Sequence, residues 1–104
     1  MLIELRTYKT RPGQREAFIK VFEEKARPAQ EEAGIQILGQ FRSLEDENVF
    51  IWLRGFPNEE ERQARLDAFY GSDYWRNSLR DEIVSLLEEY TGHLLQPTAS
   101  SPWR

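Results

Sequence analysis

The sequence predicts a single α+β domain with a four-stranded antiparallel sheet and its helices on one face. Three observations lead there. Several stretches alternate apolar and polar residues with a period of two. Two longer stretches repeat at helical spacing. The two kinds follow one another in the order β-α-β-β-α-β.

Residues 2–10, LIELRTYKT, put Ile3, Leu5 and Thr7 on one side of a strand and Glu4, Arg6 and Tyr8 on the other. Arg11-Pro12-Gly13 ends it, and Pro12 suits a helix start, where its missing N–H is not needed. The helix that follows reaches about Glu32, with Phe18, Val21, Phe22, Lys25 and Ala29 on one face. Pro28 is expected to kink or end its hydrogen-bond ladder, and Gly34 to close it in the left-handed C′ position.

Residues 35–43 alternate again, Ile35, Ile37 and Phe41 against Gln36, Leu38, Gln40 and Arg42. A polar loop around Glu45-Asp46-Glu47 leads into residues 48–56, with Val49, Ile51 and Leu53 opposed to Phe50, Trp52, Arg54 and Phe56. A short loop between two alternating runs makes an antiparallel hairpin. Asn58 with Glu61 reads as a capping box. The helix it opens runs to about Tyr70 and breaks at Gly71-Ser72. Ser72 or Asp73 caps a second segment, whose apolar face extends through Ile83, Val84, Leu86, Leu87 and Tyr90. Residues 91–96 read as a last short strand before Pro97, and 98–104 as a tail.

The element order is the split βαβ, or ferredoxin-like, arrangement, and right-handed crossovers place the first and third strands side by side in the middle. The helices are expected to cover the aliphatic face of Ile3, Leu5, Ile35, Ile37, Val49, Ile51 and Leu53. That leaves Glu4, Arg6, Tyr8, Leu38, Gln40, Phe50, Trp52, Arg54 and Phe56 on the other face. Such a face is too apolar for water and too charged for an ordinary core. The expectation is a homodimer packed through the sheet, with a lined cavity between the copies.

Bulk properties narrow the function. A chain of 104 residues is one domain, burying roughly 65% of its unfolded surface. Its net charge is −4, with 14 basic residues scattered among 18 acids, so no basic stripe marks a nucleic-acid binder. The lack of cysteine removes thiolate metal sites and a Cys nucleophile, and the single His removes a multi-histidine site within one subunit. No metal and no cofactor is expected. No apolar run approaches the ~20 residues of a membrane span, and a strand pattern beginning at Leu2 leaves no room for a targeting peptide. A soluble, cytoplasmic protein is expected.

The candidate ligand-binding residues are Glu4, Arg6, Tyr8, Gln40, Trp52 and Arg54. Arg6 and Arg54 could clamp a carboxylate or phenolate while Tyr8, Phe50 and Trp52 stack on a planar body. The plainer reading is a Glu4–Arg6–Arg54 network at a dimer seam. His93 and Tyr8 are the candidates for moving a proton; a structural His is the competing reading. Tyr74-Trp75 is either a lid or a hydrophobic anchor of the broken helix.

Glu4-Leu5-Arg6-Thr7-Tyr8 followed by Arg11-Pro12-Gly13 resembles the opening of the NIPSNAP family. The likeness continues in order through Gly39-Gln40-Phe41, Asn48-Val49-Phe50-Ile51-Trp52, Asp73-Tyr74-Trp75 and Leu94-Leu95-Gln96-Pro97. Ile3 and Arg54 depart from the pattern. The resemblance implies a NIPSNAP-like domain over residues 1–97 and a dimeric α+β barrel, in a superfamily that also holds antibiotic-biosynthesis monooxygenases. It implies no particular reaction. Three functions stay open: a barrel binding a small aromatic or amphipathic molecule, a cofactor-independent monooxygenase or isomerase, and a structural dimer without a ligand.

Overall fold

The computed structural model describes residues 1–103. Strand β1 is Leu2–Thr10. A continuous helix follows as α1, Arg15–Val21, a π-helical turn, Phe22–Ala26, and α2, Arg27–Glu32. Strands β2, Gln36–Arg42, and β3, Val49–Phe56, form the hairpin. Helix α3 is Glu59–Tyr70; a second π-helical turn, Trp75–Leu79, leads into α4, Arg80–Val84, and strand β4 is Leu87–Leu95. The sheet order is β2-β3-β1-β4 with every pairing antiparallel, so β1 and β3 are central as predicted.

Local chemistry accounts for most boundaries. Asn58 Oδ1 accepts from the Glu61 amide at 2.8 Å, capping α3. Ser72 Oγ accepts from the Trp75 amide at 3.2 Å and caps the next segment. Gly34, at φ 87°, closes α2 while Ile35 N–H reaches back to the Gln30 carbonyl at 2.9 Å. Pro28 does not end the helix. The ladder widens one turn ahead of it, where the Arg27 amide bonds the Phe22 carbonyl, and the wider turn accommodates the proline ring.

Three expectations need correction. The last helix stops at Val84, and Leu87–Leu95 is one long strand paired with β1, with a register shift at Glu88. Leu87 and Tyr90 suit a helix face by spacing, but a backbone ladder with a central strand overrides that local preference. In β2 the register slips between Ile37 and Gly39, so Ile37, opposite Arg54, shares a face with Gln40, opposite Trp52. Phe41, opposite Ile51, faces the other way.

The third correction concerns the faces themselves. The helices cover Glu4, Arg6, Tyr8, Phe50, Trp52 and Arg54, not the aliphatic side. Phe18 packs on Tyr8 and Phe50, with ring centroids 5.6 and 5.3 Å apart, and Phe22 packs on Phe50 and Trp52 at 5.1 and 4.9 Å. Both faces are apolar enough to be buried, so alternation alone cannot choose between them. The larger aromatic surface gains more on burial, and the charges among it find partners on the helices.

The opposite face carries Leu5, Thr7, Val49, Ile51 and Leu53, all partly exposed, with Phe41 and His93 exposed beside them. Ile3 is the buried exception, where Leu38 and Met1 lie against its cross-strand partner Gly55. The molecule is 19 Å thick along its shortest axis, the depth of a sheet with one layer of helices.

Candidate functional site

Between the sheet and the helices α3 and α4 lies a cavity of about 370 Å³. The sheet supplies Glu4, Arg6, Tyr8, Arg54, Leu87 and Tyr90; the helical side supplies Arg62, Leu66, Tyr70, Trp75, Arg80, Ile83 and Val84. Its position follows from helix geometry. Arg62, Leu66 and Tyr70 fall at successive four-residue steps and so share the face of α3 that looks at the sheet. The break at Gly71-Ser72 then turns the chain so that Trp75 packs on Phe69 and Tyr70, at 5.3 and 5.0 Å, and lines one wall.

Glu4 organises the charged end. It is 3% exposed. Its Oε2 accepts from Arg54 Nη2 at 3.2 Å and lies 3.7 Å from Arg6 Nη1, and its Oε1 accepts from Arg62 Nε at 2.9 Å. Arg54, 2% exposed, also donates from Nη1 to Gln30 Oε1 at 3.2 Å and to the Tyr70 hydroxyl at 3.1 Å. Its guanidinium carbon sits 5.0 Å from the Trp52 ring centre. Both terminal nitrogens of Arg54 are therefore paired within its own chain, while its Nε is buried without a partner among the described residues. That is the structural network anticipated for Glu4, Arg6 and Arg54, formed within one subunit instead of across a seam.

Protonation follows from this packing. Burial acts to raise the Glu4 carboxyl, but the charge and hydrogen bonds of Arg54, with those of Arg62, outweigh it and hold the pKa below the ordinary value. For Tyr8, burial first and Tyr70 second raise the phenol above its ordinary value, with Arg6 and Arg54 pulling back. The Tyr8 hydroxyl accepts from Arg6 Nη2 at 3.3 Å. A locked carboxylate is a poor proton acceptor and a raised phenol a poor base.

Four of the sequence-predicted residues, Glu4, Arg6, Tyr8 and Arg54, come together at the cavity. Trp52 is buried behind them in the core. Gln40 is tied to the helix surface, accepting from Arg27 Nη1 at 3.2 Å and donating to Glu23 Oε2 at 3.1 Å. His93 stands opposite Leu5, on the face away from the cavity. Trp75 serves as both wall and anchor, while its neighbour Tyr74 is exposed. Sequence reading missed Arg62, Leu66 and Tyr70, whose spacing was visible but whose helix is mostly charged. It also missed Tyr90, read as helical.

Among the described residues no cluster of three or more His, Asp or Glu side chains could hold a metal ion. Among them, too, no helix is long and apolar enough to cross a membrane.

The NIPSNAP family model matches residues 3–102. The fold is similar to that of an uncharacterised NIPSNAP domain protein from Burkholderia xenovorans, at 21% identity and a TM-score of 0.90, covering 98% of this chain and 99% of that one. A NIPSNAP family protein from Agrobacterium tumefaciens is similar at 22% identity and a TM-score of 0.91, covering 99% and 98%. An antibiotic biosynthesis monooxygenase shares the fold more distantly, at 17% identity and a TM-score of 0.68, covering 94% and 99%. No curated protein matches the sequence.

Proposed function

The chain belongs to the NIPSNAP family, and from that premise we propose that it is a homodimeric binding protein for a small amphipathic molecule held beneath its helices. The observation that carries this reading is the cavity itself. Its volume, about 370 Å³, falls in the range of small-molecule sites, and it pairs a charged end with walls of Trp75, Ile83, Leu87 and Tyr90. On this reading the ligand lies between sheet and helices of one subunit rather than in a lumen between two. A cofactor-independent oxygenase or isomerase is less well supported. Its chemistry calls for a proton acceptor, and neither the ion-paired Glu4 nor His93 on the far face supplies one.

The second subunit has a different task. Leu5, Ile51, Leu53 and Phe41 form an apolar centre on the uncovered face, with Thr7, Lys9, Glu89, Thr91 and His93 around it. An apolar centre with a polar rim is the usual anatomy of a protein interface, and a copy of the same sheet would cover it. A thermal-shift screen of aromatic acids, phenols and quinones tests the binding reading: at least one class should raise the unfolding midpoint. Absence of any shift across all three would remove its support.

A further inference from the structure

Building on the cavity as a ligand site, we infer that its ligand is an aromatic monoanion seated on Arg6, and that Gly92 is the residue that leaves room for that seat. Four arginines line the cavity, but three have a carboxylate at hydrogen-bonding distance. Arg54 and Arg62 share Glu4, at 3.2 and 2.9 Å, and Arg62 also bonds Glu59 at 3.0 Å. Arg80 lies 3.4 Å from Asp81. Among the described residues Arg6 has no such partner. The nearest carboxylate oxygen is 3.7 Å away and is the one Arg54 already holds more closely.

Arg6 is nevertheless largely out of water, with 16% of its side chain exposed. Among the described residues its side-chain hydrogen bond goes to a neutral hydroxyl, that of Tyr8, and its Nε, like that of Arg54, is buried with no partner. A charge so placed, lacking a counter-charge of its own, is costly unless a ligand brings one. One unmatched arginine calls for one negative charge, and a carboxylate matches the planar fork of a guanidinium.

The surroundings set the shape. The guanidinium carbon lies 5.5 Å from the Tyr8 ring centre and 5.6 Å from that of Tyr90, so aromatic surface flanks the charged group. Across the β1–β4 pair Gly92 stands opposite Arg6, where a Cβ would lie 2.7 Å from Nη1. Any larger residue there pushes the guanidinium from its place. Nothing in the backbone of Gly92 requires glycine, since its φ is not positive; the space is what it provides.

The test measures binding of 2-naphthoate, neutral 2-naphthamide and naphthalene-2,6-dicarboxylate by titration calorimetry to the full chain and to Gly92→Ala and Arg6→Gln. Naphthoate is expected to bind the unaltered protein about tenfold or more tightly than either other compound, the scale of one charge-assisted contact. Gly92→Ala, on an exposed strand, should lose about tenfold for naphthoate and leave naphthamide unchanged. Arg6→Gln should abolish the preference. Equal binding of naphthoate and naphthamide, tighter binding of the dicarboxylate, or full naphthoate affinity in a folded Arg6→Gln would each overturn the seat while leaving the cavity as a binding site. Failure of all three compounds to bind would overturn both.

Discussion

Glu4 and Arg54 stand directly opposite one another on the two central strands, and Arg54 Nη2 lies 3.2 Å from Glu4 Oε2 with both side chains all but excluded from water. A buried pair of this kind adds little to stability compared with a well-packed apolar pair, yet breaking it exposes the surviving charge to the full cost of burial. The network extends to Arg62 on α3, so it also ties that helix to the sheet.

Glu4→Gln is therefore expected to destabilise the fold by about 3 kcal/mol, the lower end of the range for breaking a buried pair, because the amide oxygen still accepts one hydrogen bond. Urea unfolding at neutral pH measures it. A loss within about 0.5 kcal/mol, the size of an ordinary surface change, would mean that the network is not formed.

The same carboxylate gives the protein an acid limb. Its pKa is lower in the folded state than the ordinary 4.5, so its stabilisation is complete above that value and fades as pH falls through the folded pKa. Glu16 is lowered too, by its hydrogen bond to Arg42, and acts with the same sign. Comparing the unaltered chain with Glu4→Gln cancels that shared contribution. Between about pH 5 and pH 3 the unaltered chain should lose stability more steeply; parallel slopes would assign the acid limb elsewhere.

Phe22 touches Phe50 and Trp52 from the helix side and is 1% exposed. Phe22→Ala should cost about 3–5 kcal/mol through lost burial and the cavity left behind. Chemical unfolding measures it, and a loss within about 0.5 kcal/mol, the size of an ordinary surface change, would mean that Phe22 is not packed between helix and sheet.

Leu53 lies at the centre of the uncovered face, between Leu5 and Gly39. Leu53→Glu would place two charges against one another in a symmetric interface. Light scattering at micromolar concentration should give a dimer for the unaltered chain and a folded monomer for the variant. A variant that stays dimeric would move the interface to another surface.

The sequence made the order of elements, both central strands and the helix caps at Gly34, Asn58 and Ser72 legible, because each rests on local chemistry. It brought Glu4, Arg6, Tyr8 and Arg54 into one site by strand pairing alone. It could not say which side of the sheet they were on. That depends on Gln30 and Tyr70 reaching across to Arg54 and Arg62 reaching Glu4, contacts between residues far apart in the chain. The slip in β2 that separates Phe41 from Ile37 and the early start of β4 at Leu87 are likewise set by partner strands. Gln40 lies on the expected face but is engaged by Arg27 and Glu23 of the helix, and His93 lies opposite Leu5 on the other face.

The most direct test of a ligand site under the helices is a two-dimensional NMR titration with 2-naphthoate. The expected result is shift changes at the Trp75 indole and at the Tyr90 and Gly92 amides, with Leu5, Ile51 and His93 on the far face unmoved. Changes centred on Leu5, Ile51 and His93 would instead put the ligand between two sheets and contradict the arrangement described above.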